Sequence, residues 1–470
     1  MTTPLICFDE DSDARFFRAE AGTMTAATLD AYLKNLGGTK INVLIVGINS
    51  QKTNYPSKVM QPWLDEFDIR LGLNQEGLVS KSHPIPSEWS YRRRANIAVL
   101  EAQGIDSNAY LLEGAAKRGI APWIGIRMND IHDSEFEDSK FHPKHWREHP
   151  ELRIPGNIIS ENGYDFSHEC VRKMYADLAE EAFLRYHPEN VLLDWMRWPA
   201  YFPRGTGRER ASLITELLKE VRKRIGQPFA CRVPLKECCA MDLGLDVRAW
   251  VKEGILSHLF IGNFGCGQEF NAPVREWKKI TGDVPVIVSL EHGSWETLER
   301  RGPKFTIEEA RGSALSSWFA GAAGIHPFNC MCMLREEYES FGKQFFNEIH
   351  DPELLKTLPR KVYPGWADSE ILMGDLDRLC RVPGFYQEWI KTHKVPEGAF
   401  PVNEETDWNF NTVTVPANGA TVVTDSSGPI WVNGHELSGP FPAKIPAEWM
   451  QEGVTKIHTK GYISELYITL

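Results

Sequence analysis

Hydrophobic and polar positions along the chain fall into two regimes. From residue 41 to about 330, short apolar runs of strand type alternate with stretches whose apolar positions recur at helical spacing, the signature of parallel strands joined by helices. Strands are predicted at 41–49, 120–128, 164–167, 191–196, 229–234, 256–263, 284–291 and 324–329. Helices are predicted at 26–36, 88–103, 170–185, 208–225, 246–253, 273–279 and 306–319. Eight strands in this alternation predict a (β/α)8 TIM barrel. A doubly wound open sheet would carry a Gly-rich phosphate loop after its first strand, where this chain has Gly47-Ile48-Asn49-Ser50. Beyond about residue 400 the pattern changes to short alternating segments at 412–416, 420–424, 430–434 and 463–469, with Asn433-Gly434 as a hairpin turn. The expected organisation is a barrel domain over residues 1–395, with helices at 336–349 and 368–389, and a small C-terminal β-sandwich over 396–470.

Composition narrows the function classes. The 470 residues exceed the roughly 250 a minimal barrel needs, and 42% hydrophobic with 25% charged residues is ordinary for a globular chain. No apolar run reaches the length of a membrane span, so no membrane partner is expected. A formal charge of −12 argues against a nucleic-acid partner, which would call for clustered cations. The run Arg92-Arg93-Arg94 opens a helix and reads as a solvated face. Nine cysteines without regular spacing, two of them adjacent at Cys238-Cys239, predict reduced thiols, with Cys330 and Cys332 buried rather than metal-bound. The first residues lack a basic and an apolar signal region, so the chain as given reads as cytoplasmic; a periplasmic chain trimmed of its signal peptide would read the same way.

Candidate chemistry sits where a barrel gathers it, at the carboxyl ends of the strands. Strand alternation sends Leu192, Asp194 and Met196 toward the barrel axis, and likewise Ile287, Ser289 and Glu291, and Trp123, Gly125, Arg127 and Asn129. Asp194 and Glu291 are the expected catalytic pair, with Asp130 as a third candidate. Two carboxylates suit glycoside hydrolysis, one protonating the leaving oxygen and the other supporting the oxocarbenium-like centre or activating water. Asn49, Arg127, Asn129, His132, Arg197, Trp198, Arg232, Asn263, His292 and Asn329 are the expected substrate-binding residues. The arginines would suit a carboxylate or sulfate on an acidic sugar. Trp123, Trp146, Trp195, Trp198 and Trp295 lie near these strand ends, as sugar-stacking platforms or as core. The 129–162 segment is too long for a scaffold connection and is expected to be functional. Neither a metal nor another cofactor is expected.

These residues also resemble a known pattern. Gly37-Gly38-Thr39, Asn54-Tyr55-Pro56-Ser57-Lys58, Arg127-Met128-Asn129-Asp130 with His132, Tyr164-Asp165-Phe166-Ser167-His168 and Leu193-Asp194-Trp195-Met196-Arg197-Trp198-Pro199 resemble a family of glycoside-hydrolase-like barrels, of unassigned activity, common in polysaccharide-degrading bacteria. The resemblance covers about residues 10 to 330 and implies a C-terminal β-domain, an oligo- or polysaccharide substrate, and a place for Asp194 in the substrate cleft. The best-known retaining barrels end the fourth strand with an Asn-Glu pair. Asp194 stands there instead, which leaves a nucleophile or a substrate-binding role open to it. Two other readings compete. A metal-dependent hydrolase or lyase would draw ligands from Asp130, His132, Asp133 and His142 or His145, although Ile48-Asn49-Ser50 lacks the His-x-His such barrels carry after the first strand. A non-catalytic carbohydrate-binding barrel would have lost its acids, whereas Asp194 and Glu291 are both present.

Overall fold

The computed structural model describes residues 4–10, 14–76, 87–130, 132, 139, 141–155, 162–197, 199–262, 269–291, 306–328, 330, 339–364, 405–461, 463 and 465–470. Eight parallel strands close into a barrel: β1 (Leu5–Glu10), β2 (Val43–Gly47), β3 (Ala121–Arg127), β4 (Asn190–Asp194), β5 (Phe229–Pro234), β6 (Leu256–Gly262), β7 (Val286–Glu291) and β8 (Gly324–Phe328). Helices cover the outer faces, so the strands are buried on both sides and read as near-continuous apolar runs; all five residues of β2 are buried. The (β/α)8 barrel and the following β-sandwich are as the hydrophobic pattern predicts.

One strand of the expected set is replaced by another. The first barrel strand is Leu5–Glu10, which pairs with both β2 and β8. The 164–167 segment is no barrel strand: Tyr164 makes an isolated bridge to Arg153, and the Asp165 carboxylate accepts from the Ser167 N–H at 2.8 Å, a side-chain-closed turn. Its aromatic residues imitate a strand because Phe166 packs in a fully buried ring cluster with Tyr175, Trp195 and Tyr201. The reading of Arg92-Arg93-Arg94 as a solvated face is also corrected. Only Arg92 sits in an exposed pair, with Glu88. Arg93 is buried with its guanidinium 4.5 Å from the Trp63 ring and 4.6 Å from Phe141, and Arg94 donates to the Trp63 carbonyl and covers Phe67. Cation–π packing offsets part of the cost of burying these charges.

Packing divides the chain into two compact units, Cys7–Val233 with Glu237–Leu259, and Met1–Ile6 with Pro234–Lys236 and Phe260–Leu470. In the first unit, Asp106 caps helix Ser107–Ala116 through two backbone N–H groups, and Asp246 caps Val247–Lys252, each satisfying donors that have no partner within the helix. In the second unit, Thr306 and Glu309 form a capping box on helix Ile307–Phe319.

The C-terminal part belongs to the second unit. One sheet has the order β10 (Thr406–Val413), β15 (Gly453–Thr459), β12 (Ile430–Val432), β13 (His435–Leu437). The other runs β14 (Ala443–Ile445), β11 (Ala420–Thr424), β16 (Leu466–Thr469), β9 (Lys361–Val362). Their inner faces share a core of Trp408, Phe410, Val422, Ile430, Val432, Ile445, Ile457, Leu466 and Ile468. Asn433 and Gly434, both at positive φ, turn the β12–β13 hairpin as expected. The sandwich is keyed to helix Ile307–Phe319 by Tyr363, whose hydroxyl donates to Glu309 at 3.0 Å, and by Asn411, which donates to Ser316 at 2.9 Å. Gly312 makes this approach possible, since a Cβ there would lie 1.9 Å from the Lys361 carbonyl oxygen.

Candidate functional site

Strand register builds the site. Arg127 at the end of β3 pairs with Asp194 at the end of β4, and Asp194 pairs with Arg232 on β5. Residues in register lie on one face, so Asp194 stands between two arginines. Backbone hydrogen bonds carry the ladder to the rim, from Met128 N–H to the Asp194 carbonyl and from Trp195 N–H to the Arg232 carbonyl, both 3.1 Å. Trp195 faces the opposite way and is core, packed against Tyr201, Phe166 and Trp250.

The Asp194 carboxylate accepts from Arg232 Nη1 at 3.2 and 3.3 Å and from the Met196 N–H at 2.8 Å. Arg232 has no exposed surface, and its buried charge is acceptable there because Asp194 lies within ion-pair distance. Arg197, also buried, follows Asp194 on the loop.

Beside this row stands a second cluster. Asp130 Oδ2 accepts from Arg127 Nη1 at 2.7 Å, while Oδ1 receives the His132 N–H at 3.0 Å and lies 2.5 Å from His132 Nδ1. Burial alone would push the pKa of Asp130 up. His132, Arg127 and Arg197 outweigh it and hold the carboxyl well below the usual range. Gln51, which the sequence reading did not single out, joins this cluster to the loop: its amide donates to the His132 carbonyl, and its oxygen lies 2.7 Å from His142 Nδ1. His142 stacks on Trp146 at 3.8 Å, and the Arg153 guanidinium lies 3.4 Å from the Trp146 ring centre. The described part of the long 129–162 segment thus carries an internal aromatic–cation stack and is tied to the loop after β2 through Gln51.

Two asparagines expected to bind substrate have their amides engaged by the backbone. Asn49 accepts from the Arg127 N–H and donates to the Arg127 carbonyl, both at 3.1 Å, and also donates to the Ser50 carbonyl. Asn129 exchanges hydrogen bonds with the Tyr164 backbone and donates to the Ala200 carbonyl. Trp123 and Trp146 are buried like Trp195. Trp123 lies 5.1 Å from the His258 ring, and burial pushes His258 down to about 4.

In the second unit, Ser289 on β7 hydrogen-bonds His326 on β8 at 2.9 Å, and Phe260 meets that ring edge-on. The β7 backbone ends at Glu291, paired with Phe328; the Glu291 side chain is outside the described part of the structure. Trp198, Asn263, His292, Trp295 and Asn329, with Asp133, also lie outside the described residues. The sequence reading missed Asp9, which faces away from the Glu10 side of β1, because it missed that strand; Glu10 instead receives the Tyr32 hydroxyl at 2.6 Å. Among the described residues, no three His, Cys, Asp or Glu side chains are grouped to hold a metal ion, and no helix is long and apolar enough to cross a membrane.

No protein-family model and no curated protein matches the sequence. Among solved structures, the chain is similar to the PgaB (BpsB) glycoside hydrolase domain from Bordetella bronchiseptica, at 8% identity and a TM-score of 0.43 over 73% of this chain and 99% of that one. It is similar to the alpha-galactosidase TtGalA from Thermus thermophilus at 12% identity and a TM-score of 0.37, over 74% of this chain and 62% of that one. The maltogenic alpha-amylase AmyB from Thermotoga neapolitana matches at 9% identity and a TM-score of 0.38, over 99% and 98%. The barrel assignment rests on the strand pairing itself.

Proposed function

We propose that this chain is a glycoside hydrolase acting on an oligo- or polysaccharide, with Asp194 as its central carboxylate. The observation that carries the reading is the placement of Asp194 at the carboxyl end of β4, in register between Arg127 and Arg232. That is the rim where barrels concentrate their chemistry, and a carboxylate fixed by three hydrogen bonds is pre-positioned to stabilise positive charge developing at an anomeric carbon. Glu291, the terminal residue of β7, is the proposed second carboxylate by strand position. Arg127, whose side chain keeps 10% of its surface exposed, is proposed to meet a carboxylate or sulfate group on the sugar, Arg232 to fix the Asp194 carboxylate from its buried position, and His132, Trp198, Asn263, His292 and Asn329 to bind hydroxyls or ring faces. Asn49 and Asn129 support the rim by fixing the backbone around Arg127 and Tyr164.

The test is a screen for reducing ends released from neutral, uronic and sulfated polysaccharides and from aryl glycosides, without added metal. Hydrolysis that survives a chelator and is strongest on acidic glycans is the expected result. Activity that depends on added divalent metal would remove the paired-carboxylate reading.

A further inference from the structure

The competing metal reading drew its ligands from Asp130, His132, Asp133 and His142 or His145. The structure gives His145 a different companion. His145 lies on helix Lys144–Glu148 and His149 caps that helix, its backbone N–H donating to the His145 carbonyl at 3.1 Å. The two residues are one helical turn apart, at the i, i+4 spacing that places side chains on one face. Their ring centres are 4.8 Å apart, with the planes inclined by 42°. We propose that His145 and His149 form a two-histidine site for a divalent transition-metal ion of the imidazole-binding kind, such as Zn²⁺, Ni²⁺ or Cu²⁺, which takes no ligand from the carboxylates of the barrel rim.

Each ring is oriented through its Nδ1. The His145 Nδ1 lies 3.2 Å from the Tyr164 hydroxyl, and the His149 Nδ1 lies 2.9 Å from Glu151. Among the described residues, no hydrogen bond or ion pair involves the Nε2 of either ring. Metal-binding imidazoles have this arrangement, with one nitrogen tethered by a polar neighbour and the lone pair of the other left for the ion. Both side chains reach water, His145 being exposed and His149 keeping 45% of its side-chain surface. Two imidazoles that share one ion through bonds of about 2.0–2.1 Å hold their ring centres roughly 4.5–5.2 Å apart, for right-angle to tetrahedral coordination. The observed separation falls in that range. Burial and the neighbouring His149 push the pKa of His145 down, against the pull of Glu151 and Glu148. His145 therefore offers a neutral ring at neutral pH, the form a metal binds, and the two carboxylates add attraction for a cation. Water would complete the coordination, since no third His, Cys, Asp or Glu is grouped with the pair among the described residues. Trp146, next along the helix, stays in its stack with His142 and Arg153 and holds the turn in place. The site does not depend on the glycosidase reading.

The deciding experiment is a calorimetric titration of Ni²⁺ into the full chain, stripped with chelator and dialysed into a mildly alkaline, non-coordinating buffer where imidazole is neutral. The wild type is expected to show a saturable site whose filling raises the thermal midpoint of unfolding. His145→Gln and His149→Gln should each weaken binding at least about tenfold and abolish that rise, since the ion loses one of its two imidazoles. His435→Gln, at an exposed histidine of the sandwich, should bind as the wild type does. Absence of binding in the wild type, full affinity in either His145→Gln or His149→Gln, or an equal loss in His435→Gln would overturn the proposal. Circular dichroism matching the wild type confirms that these surface variants are folded. A chain that binds Ni²⁺ as expected and hydrolyses none of the glycans would refute the glycosidase reading and leave this site standing. Hydrolysis by a chain that binds no Ni²⁺ would do the reverse.

Discussion

Replacing Arg232 with methionine removes a buried cation bonded to Asp194, and the cost follows from the geometry. Arg232 Nη1 lies 3.2 and 3.3 Å from the two carboxylate oxygens, and the arginine has no exposed surface. Because one nitrogen serves both oxygens, the pair counts as a single charge-assisted interaction of about 1.5–3 kcal/mol. Stranding the remaining charge in a buried setting brings the total to about 3–5 kcal/mol. Asp194→Asn should cost a similar amount, since its amide oxygen keeps the Met196 N–H but no longer neutralises Arg232. Combining Arg232→Met with Asp194→Asn removes both charges, so the double variant should be more stable than the sum of the single losses by about 1–3 kcal/mol. Urea and thermal unfolding followed by tryptophan fluorescence read all four proteins, and in the thermal series the single variants should melt lower by on the order of 5–10 °C. Single variants within about 0.5 kcal/mol of wild type, or strict additivity, would refute the coupling.

Three further outcomes follow from particular contacts. His258 is pushed down from 6.5 to about 4 by burial, so the folded chain takes up fewer protons than the unfolded one between those values. Its contribution, on the order of 3 kcal/mol, is complete above about pH 6.5 and is lost as the pH falls toward 4. His258→Gln should flatten that part of the stability profile, and an unchanged slope would contradict the assignment. Gly312→Ala forces a methyl against the Lys361 carbonyl and should cost about 1–3 kcal/mol in thermal unfolding, while Gly428→Ala, in open space, should be neutral. Asn49→Ala strands the Arg127 backbone and should cost about 2 kcal/mol. Its KM on any active substrate should stay within about twofold, whereas a sugar-binding amide would raise KM with kcat unchanged.

The barrel was legible because its strands are apolar runs separated by well-capped helices, and strand alternation alone turned Asp194 to one face and Trp195 to the other. The first strand was harder to see, since its fully buried core is only Ile6-Cys7-Phe8 at the start of the chain. The 164–167 segment misled because aromatic residues that fill a cluster and aromatic residues that pair in a sheet look alike in sequence. Arg93 and Arg94 misled for the opposite reason, as three like charges suggest water while their partners, Trp63, Phe67 and Phe141, come from distant segments. The Asp130–His132 contact spans two residues and was within reach of the sequence. The Asp194–Arg232 pair spans 38 and required the register of β4 and β5.

Turnover of Asp194→Asn on the best glycan found in the screen, measured beside the wild type at matched concentration, tests the central claim most directly. The account predicts a fall in kcat of about 10²–10⁴-fold, with the far-ultraviolet circular dichroism of a folded barrel preserved. A folded Asp194→Asn chain with full turnover would contradict it.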